Sequence, residues 1–576
     1  MIPADRRNGT EAQGLYDGWS ITMLSGLAII FATIGYNTYK FGGNWDEYLV
    51  LSRVFLYVDG ELSGNFRAFL VHGFSWLQWV NGLSLDRIEA ARVAMWILSI
   101  GTLVSLFWVG RHYLSQRASI FALLSYTTFS YVFEHLASFR ADPVITFFLV
   151  SGAALILASN TTSAIFAGIA IAIATTVSIK SALYFPAIGA LFIYQIYRGY
   201  LAGCARAMIR NAAITLISSA VAMAVLFLLH GFLLKGGDTL GGDVRWLSGN
   251  VDQLIWSAGF FPRLDYAANV AQISYMVILI WIAGVFITVR GIIHSQGATR
   301  ARLISLLFLA SPVISLLFYR NAYSYFYVFM LPLPALLCGV TFDAVWWNKD
   351  IGRATRNMIL AVIVMGVGHG AWYTIWKNQS RSQDTQRALL SGIEEIFPES
   401  VSYIDRCSMV ADYPKAGFFM ETRQMEDYHA NGEPIMREVI IEKQPKFILA
   451  NHYALLLHLS QPESTYTLMP EDVQSLRANY VPHWELVFIA GKSLTIAGSG
   501  DHEFEILIPG EYTVETADTV EIDGAEYESG DIIDLVFGRH RIRGRYANQE
   551  VVLRCGDSLP VPEESMPAGP LFDGLM

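Results

Sequence analysis

Charge is the scarce commodity in this sequence: only 16% of its 576 residues are Asp, Glu, Lys or Arg, while 53% are hydrophobic. Soluble domains sit nearer a quarter charged, so a single water-soluble globule is excluded. Cysteine is almost as sparse. The four present, Cys204, Cys338, Cys407 and Cys555, form no CxxC pair, which gives no sign of a zinc site or a dithiol redox centre. A signal-peptide cleavage site is also lacking. Arg6 and Arg7 precede an apolar stretch too long for a signal core, which reads as a retained first span. No internal repeat stands out.

What the chain has instead is long uncharged stretches. A bilayer core takes about 20 apolar residues as a helix, and the lack of water there makes the helix the default. Stretches without charge run over 18–39, 93–110, 118–133, 143–159, 161–179, 181–197, 211–234, 266–289, 303–319, 321–342 and 357–376. The break at Asn160-Thr161-Thr162-Ser163 divides what would otherwise be one overlong segment. The sequence thus predicts a polytopic α-helical membrane protein of about 11 spans.

The distribution of Lys and Arg sets the expected orientation. With the N-terminus inside, the inner connections hold 13 basic and 5 acidic residues, and the outer ones 11 and 12. An odd number of spans then places everything after residue 377 outside. That tail carries 15 Lys and Arg against 33 Asp and Glu, a net of −18, leaving +8 for the first 377 residues. So acidic a region is a poor partner for nucleic acid, whose phosphates need basic surface, and a poor dock for anionic lipid. Expected domains are a membrane region over 1–377, a mixed α/β region over 378–483, and a β-sandwich-like region over 484–576. The last is expected because short alternating strands (Glu485–Ala490, Glu503–Ile508, Tyr512–Glu515, Thr519–Ile522, Ile532–Phe537) are punctuated by Asp523-Gly524 and Ser529-Gly530. It reads either as a glycan- or partner-binding module or as a spacer. Cys407 and Cys555 share the outer, oxidising side in this scheme, and the sequence leaves their pairing open.

Against this background a few charged residues are conspicuous. Asp46 and Glu47 follow the first span within Gly42-Gly43-Asn44-Trp45-Asp46-Glu47-Tyr48. Arg140 and Asp142 stand in Phe139-Arg140-Ala141-Asp142-Pro143, and Lys180 and Arg320 each interrupt long apolar segments. In the assigned orientation all six fall at the outer membrane face, where ionisable groups are costly and point to function. Fixed cations suit a lipid-borne phosphate, and a neighbouring carboxylate suits proton abstraction from a hydroxyl. The bland alternatives are snorkelling for Lys180 and Arg320, a local ion pair for Arg140 and Asp142, and an ordinary loop for Asp46 and Glu47. Trp45, Tyr48, Trp76 and Trp79 would stack on sugar rings or simply belong to an interfacial belt.

These motifs give the chain a resemblance to the GT-C superfamily of membrane glycosyltransferases, notably the branch of protein O-mannosyltransferases and lipid A aminoarabinose transferases. Asp46-Glu47 resembles that branch's acidic pair, opening a long first outer loop with amphipathic stretches at Leu49–Val58 and Phe66–Val80. Asp142 matches the second acidic residue in the next outer loop. Lys180, in Val177-Ser-Ile-Lys180-Ser, falls where relatives carry a Lys-Gly-Pro-like segment, here without its Gly-Pro. Arg320, ahead of Tyr323, Tyr325, Tyr327 and Leu331-Pro332-Leu-Pro334, is similar to a late basic and aromatic segment.

The resemblance implies an inverting transfer of a sugar from a polyprenyl-phosphate donor to an acceptor hydroxyl on a lipid, glycan or protein, at the outer face of the cytoplasmic membrane. It casts Asp46 as the general base, Glu47 or Asp142 as orienting groups, and Arg140, Lys180 and Arg320 as holders of the leaving phosphate. No metal is assigned: some relatives bind divalent ions, to which His72 or His135 could contribute, but a lone histidine near an aromatic interface is more often structural. The competing classes are a transporter, which calls for internal repeats and helices broken at mid-membrane, and a receptor-like protein, which leaves the charged cluster unexplained.

Overall fold

A computed structural model describes residues 17–62, 69–233, 259–457, 466–496, 500–567 and 571–572. The first three residues of the predicted amphipathic stretch at 66–80 and most of the loop at 235–265 lie outside the described residues. The chain folds into two compact units. The first comprises 1–40, 56–78 and 89–381, and the second 41–55, 79–88 and 382–576.

The first unit is helical. Among the described residues eight helical segments are long and apolar enough to cross a membrane: Gly18–Lys40, Ser84–Tyr113, Ala141–Ala158, Ile179–Leu201, Ala205–His230, Tyr275–His294, Gly297–Leu317 and Arg353–Lys377. The protein is therefore a multi-pass membrane protein. The three remaining expected stretches coincide with shorter pieces, and each break has a local cause. Stretch 118–133 becomes Gln116–Thr127 and Ser130–His135 because Phe129 turns extended, with ψ 126°. Stretch 161–179 is the helix Thr161–Val177, opened by Asn160, whose side chain accepts the Ser163 N–H at 2.8 Å. Stretch 321–342 splits into Phe326–Met330 and Leu336–Trp346 around Pro332 and Pro334, which lack the N–H a helix interior needs.

Tight helix packing in lipid rests on small residues, because the apolar surroundings supply no hydrophobic drive between helices. A Cβ at Gly284 would lie 1.9 Å from the Leu337 carbonyl oxygen, so Tyr275–His294 and Leu336–Trp346 touch backbone to backbone there. Thr341 Oγ1 seals the contact by donating to the Ile280 carbonyl at 2.8 Å. Gly284→Val is expected to cost about 1–3 kcal/mol by overpacking, read as a lowered melting temperature in detergent. Gly368→Ala, with open space at its Cβ, is the matched control and should melt like the parent.

The second unit is sheet-rich. Strands β1 (Tyr403–Ile404), β2 (Phe447–Leu449), β3 (Tyr480–Trp484), β4 (Val487–Ile496), β5 (His502–Ile506), β6 (Gly510–Thr516), β7 (Val520–Ile522), β8 (Ala525–Tyr527), β9 (Ile532–Leu535), β10 (Gly538–Gly544) and β11 (Gln549–Cys555) form two sheets. The seven-stranded sheet runs β1-β2-β4-β11-β6-β9, with β3 also on β4, and the four-stranded sheet runs β5-β10-β7-β8. One sheet thus joins strands from both sides of residue 483. Cys407 and Cys555 are buried and both free, so they do not pair.

Two early segments fold with this C-terminal region. Ser84 Oγ accepts the Ala411 N–H at 2.9 Å, Arg87 pairs with Asp412 at 2.9 Å, and Arg387 pairs with Asp86 at 2.8 Å.

Candidate active site

In the first unit, Asp142 occupies the first turn of Ala141–Ala158, where a carboxylate is favoured by the helix dipole. The hairpin of this helix and Thr161–Val177 returns the chain to the same end, and the 3-10 turn Ile179–Tyr184 follows. Ser181 Oγ fixes that turn by donating to the Ala174 carbonyl at 2.7 Å. Lys180 Nζ consequently meets Asp142 Oδ1 at 2.6 Å, and Arg140 Nε lies 3.8 Å from Asp142 Oδ2. The cluster is nearly dry: the side chains of Asp142, Lys180 and Arg140 are 3, 11 and 12% exposed.

Both cations also face one aromatic ring. The Arg140 guanidinium carbon is 3.4 Å from the Tyr325 centroid and Lys180 Nζ is 5.7 Å from it, an attraction worth about 0.5–2 kcal/mol per pair. The Arg320 backbone is held by Arg263, whose Nε donates to the Arg320 carbonyl at 3.1 Å while its guanidinium stacks 4.2 Å from the Tyr323 centroid. The structure thus joins Arg140, Asp142 and Lys180 through direct contacts. Arg320 lies five residues from the ring beneath the two cations. Arg263 carries no local sequence signal, and Tyr325 is one of several tyrosines in the segment after Arg320.

An apolar cavity of about 200 Å³ opens in the same unit. Tyr126, Phe129, Trp281, Tyr327, Leu331 and Pro334 are among its lining residues.

The second unit carries Asp46 and Glu47 at the start of helix Trp45–Asp59. Asn44 caps this helix. Its Oδ1 accepts the Asp46 N–H at 3.0 Å, while Glu47 Oε2 reaches back to the Asn44 N–H at 2.9 Å. That reciprocal pair is a capping box, and it accounts for a carboxylate only 1% exposed at Glu47. Buried Gln386 then clamps the preceding glycine. Its Oε1 accepts the Gly43 N–H at 2.6 Å and the Tyr48 hydroxyl at 2.9 Å, and its Nε2 donates to the Gly43 carbonyl at 2.8 Å. A Cβ on Gly43 would lie 2.6 Å from the Tyr48 ring, so the loop needs glycine there.

Arg406 lies with its guanidinium carbon 3.8 Å from the Trp45 ring centroid. Beside it Asp405 is wholly buried and fully engaged, by Lys415 at 3.0 Å, the Ser408 and Met409 N–H groups at 2.8 Å each, and Asn451 Nδ2 at 2.9 Å. Burial, helped by the Arg406 charge, lowers the His452 pKa to about 3. Its Nδ1 accepts the Ala454 N–H at 3.3 Å. None of Gln386, Arg406 and His452 was flagged by sequence, because each is an ordinary polar residue hundreds of positions from Asp46.

The His452 shift has a consequence for stability. The unfolded chain takes up a proton near pH 6.5 but the folded chain only near 3. Stability is therefore lost as pH falls through this window, by up to about 1.4 kcal/mol per unit. Amides of β2 and the turn after it should exchange faster at pH 5 than at pH 7, after correction for intrinsic rates. His452→Asn, which keeps an acceptor for Ala454, should flatten that dependence.

No protein-family model matches the sequence, and neither does any curated protein. Solved structures do. The oligosaccharyltransferase of Archaeoglobus fulgidus, tethered to an acceptor peptide containing the NVT sequon, aligns at TM-score 0.53 and 11% identity, over 95% of this chain and 98% of that one. ArnT from Cupriavidus metallidurans, bound to undecaprenyl phosphate, aligns at TM-score 0.52 and 12% identity, over 77% of this chain and 95% of that one. The apo form of the Archaeoglobus enzyme gives TM-score 0.50 over 92% and 77% of the two chains. This chain shares the fold of these solved structures.

Proposed function

We propose that the protein is an inverting glycosyltransferase that moves a sugar from a polyprenyl-phosphate donor to an acceptor hydroxyl at the outer face of the cytoplasmic membrane. The observation that carries this reading is the pair of nearly dry cations, Arg140 and Lys180, fixed by Asp142 and laid against Tyr325. One carboxylate between two guanidinium or ammonium groups leaves positive charge over, which suits a phosphate carried on a lipid. The apolar cavity suits part of an isoprenoid chain. The Archaeoglobus and Cupriavidus structures, with their acceptor peptide and undecaprenyl phosphate, are consistent with such substrates.

In this mechanism the Asp46 carboxylate takes the proton of the acceptor hydroxyl. The freed oxygen attacks the anomeric carbon from the face opposite the phosphate, and the bond from that carbon to the phosphate oxygen breaks. The electron pair leaves with the polyprenyl phosphate, whose growing charge Arg140, Lys180 and Arg320 stabilise. A single displacement inverts the anomeric centre. Asp142 acts by orienting Arg140 and Lys180, and Glu47 by fixing the helix start that presents Asp46. The N-terminus is cytoplasmic and the region after 377 extracytoplasmic. Regions 378–483 and 484–576, with Phe41–Phe55 and Trp79–Ile88, would meet the acceptor.

The test is release of free polyprenyl phosphate from a panel of synthetic polyprenyl-phosphate sugars by the purified protein in liposomes with membrane extract as acceptor. Release tied to sugar incorporation is expected with one donor. Folded protein that releases none from any donor would overturn the reading.

A further inference from the structure

We propose that Arg406, laid over Trp45, is a binding group for a negatively charged acceptor, gripping a phosphate or carboxylate that neighbours the hydroxyl to be glycosylated. The inference rests on the transferase reading for the word acceptor. The anion site itself rests on the second unit alone.

Its backbone is fixed on both sides, since its N–H donates to Asn451 Oδ1 at 2.9 Å and its carbonyl accepts the Met420 N–H at 3.0 Å. The side chain is fixed by Trp45. Yet among the described residues the guanidinium forms no hydrogen bond and no ion pair. Its nearest rival for a partner, Asp405, has its carboxylate saturated by Lys415, two backbone N–H groups and Asn451. Burial works against the Arg406 charge, and the nearby carboxylates Asp46 and Asp405 oppose that effect.

A stacked, half-buried guanidinium keeps five donors open to a ligand. It is more notable in a region holding 33 acidic and 15 basic residues, where carboxylate partners abound. The fork of a guanidinium matches carboxylate and phosphate oxygens two at a time. Trp45 precedes Asp46 directly, so an anion on Arg406 would sit one residue from the proposed base. His452 stays neutral from burial and the Arg406 charge, so Arg406 rather than His452 supplies positive charge there. The rival account is that Arg406 only braces Trp45, as a cation over an indole.

Phenylglyoxal footprinting of the full chain in detergent, read by mass spectrometry of the Arg406 peptide, separates the two. A guanidinium with unused donors should react, and inorganic phosphate or galacturonate should slow the reaction about 5-fold or more at saturating concentration, with galactose inert. Better protection by phosphate than by galacturonate would identify a phosphorylated acceptor, and the reverse a uronate or peptide carboxylate. An unreactive Arg406, or equal rates with all three additives, would overturn the proposal. Because this readout needs no sugar transfer, it stands or falls independently of the transferase reading. Where transfer is measured, Arg406→Lys should raise the acceptor KM about 10-fold with kcat little changed. A fall in kcat at unchanged KM would instead make Arg406 a brace for Trp45.

Discussion

Asp46→Asn is expected to lower kcat for sugar transfer about 10³-fold, within the 10²–10⁴ that a positioned general base contributes, while donor binding and melting temperature stay at parental values. The substitution is well controlled by the local geometry. The Asp46 backbone N–H, not its carboxylate, engages Asn44 in the helix cap, so an isosteric amide leaves the helix start intact. Glu47→Gln supplies the contrast. The amide oxygen can still accept the Asn44 N–H in place of Glu47 Oε2, so the cap survives and activity should stay within about 3-fold of the parent. Glu47→Ala removes that acceptor and should cost about 1 kcal/mol of local stability. The measurement is single-turnover transfer with donor prebound. A deep loss in Glu47→Gln with Asp46→Asn active would move the base to Glu47 and detach it from the cap.

These contrasts follow from where the sequence was informative. Membrane helices were legible because a span has a fixed length and apolar composition, both written in consecutive residues. Their internal breaks were less so. The turn at Ser274, which divides the stretch at 266–289, is held by contacts to Ser130, 144 residues away in sequence. Strands β4 to β7 and β9 followed from alternation and Gly turns. Strands β10 and β11 went unflagged because Arg-rich and polar residues interrupt the apolar pattern, as in Gly538–Gly544. At the site, charge in an uncharged context marked Asp142 and Lys180, and the hairpin geometry brought them together. Nothing local marked Gln386 or Arg406. Their roles come from folding residues 41–55 with a region more than 300 positions later, a pairing that composition and periodicity do not encode.

Removing one member of the buried Asp142–Lys180 pair should be far more damaging than removing both. Lys180→Met leaves Asp142 with Arg140 at 3.8 Å, and Asp142→Asn removes the carboxylate that both cations contact. Breaking such a pair typically costs about 3–5 kcal/mol, because the survivor stays desolvated and uncompensated, whereas replacing both partners by neutral groups is often close to neutral. The double variant Asp142→Asn with Lys180→Met should therefore melt nearer the parent than either single one, with a coupling of about 2 kcal/mol or more between the sites. Activity should behave differently. Restoring stability does not restore a cation, so the double variant should remain about 10²-fold or more below the parent in turnover, as expected when a group stabilising a leaving phosphate is lost. Thermal melts and single-turnover rates on the same four proteins supply both readings. Single variants that melt like the parent would show that water, rather than the partner charge, compensates this pair. A double variant with parental turnover would remove Lys180 from the phosphate cradle and leave that role to Arg140 and Arg320.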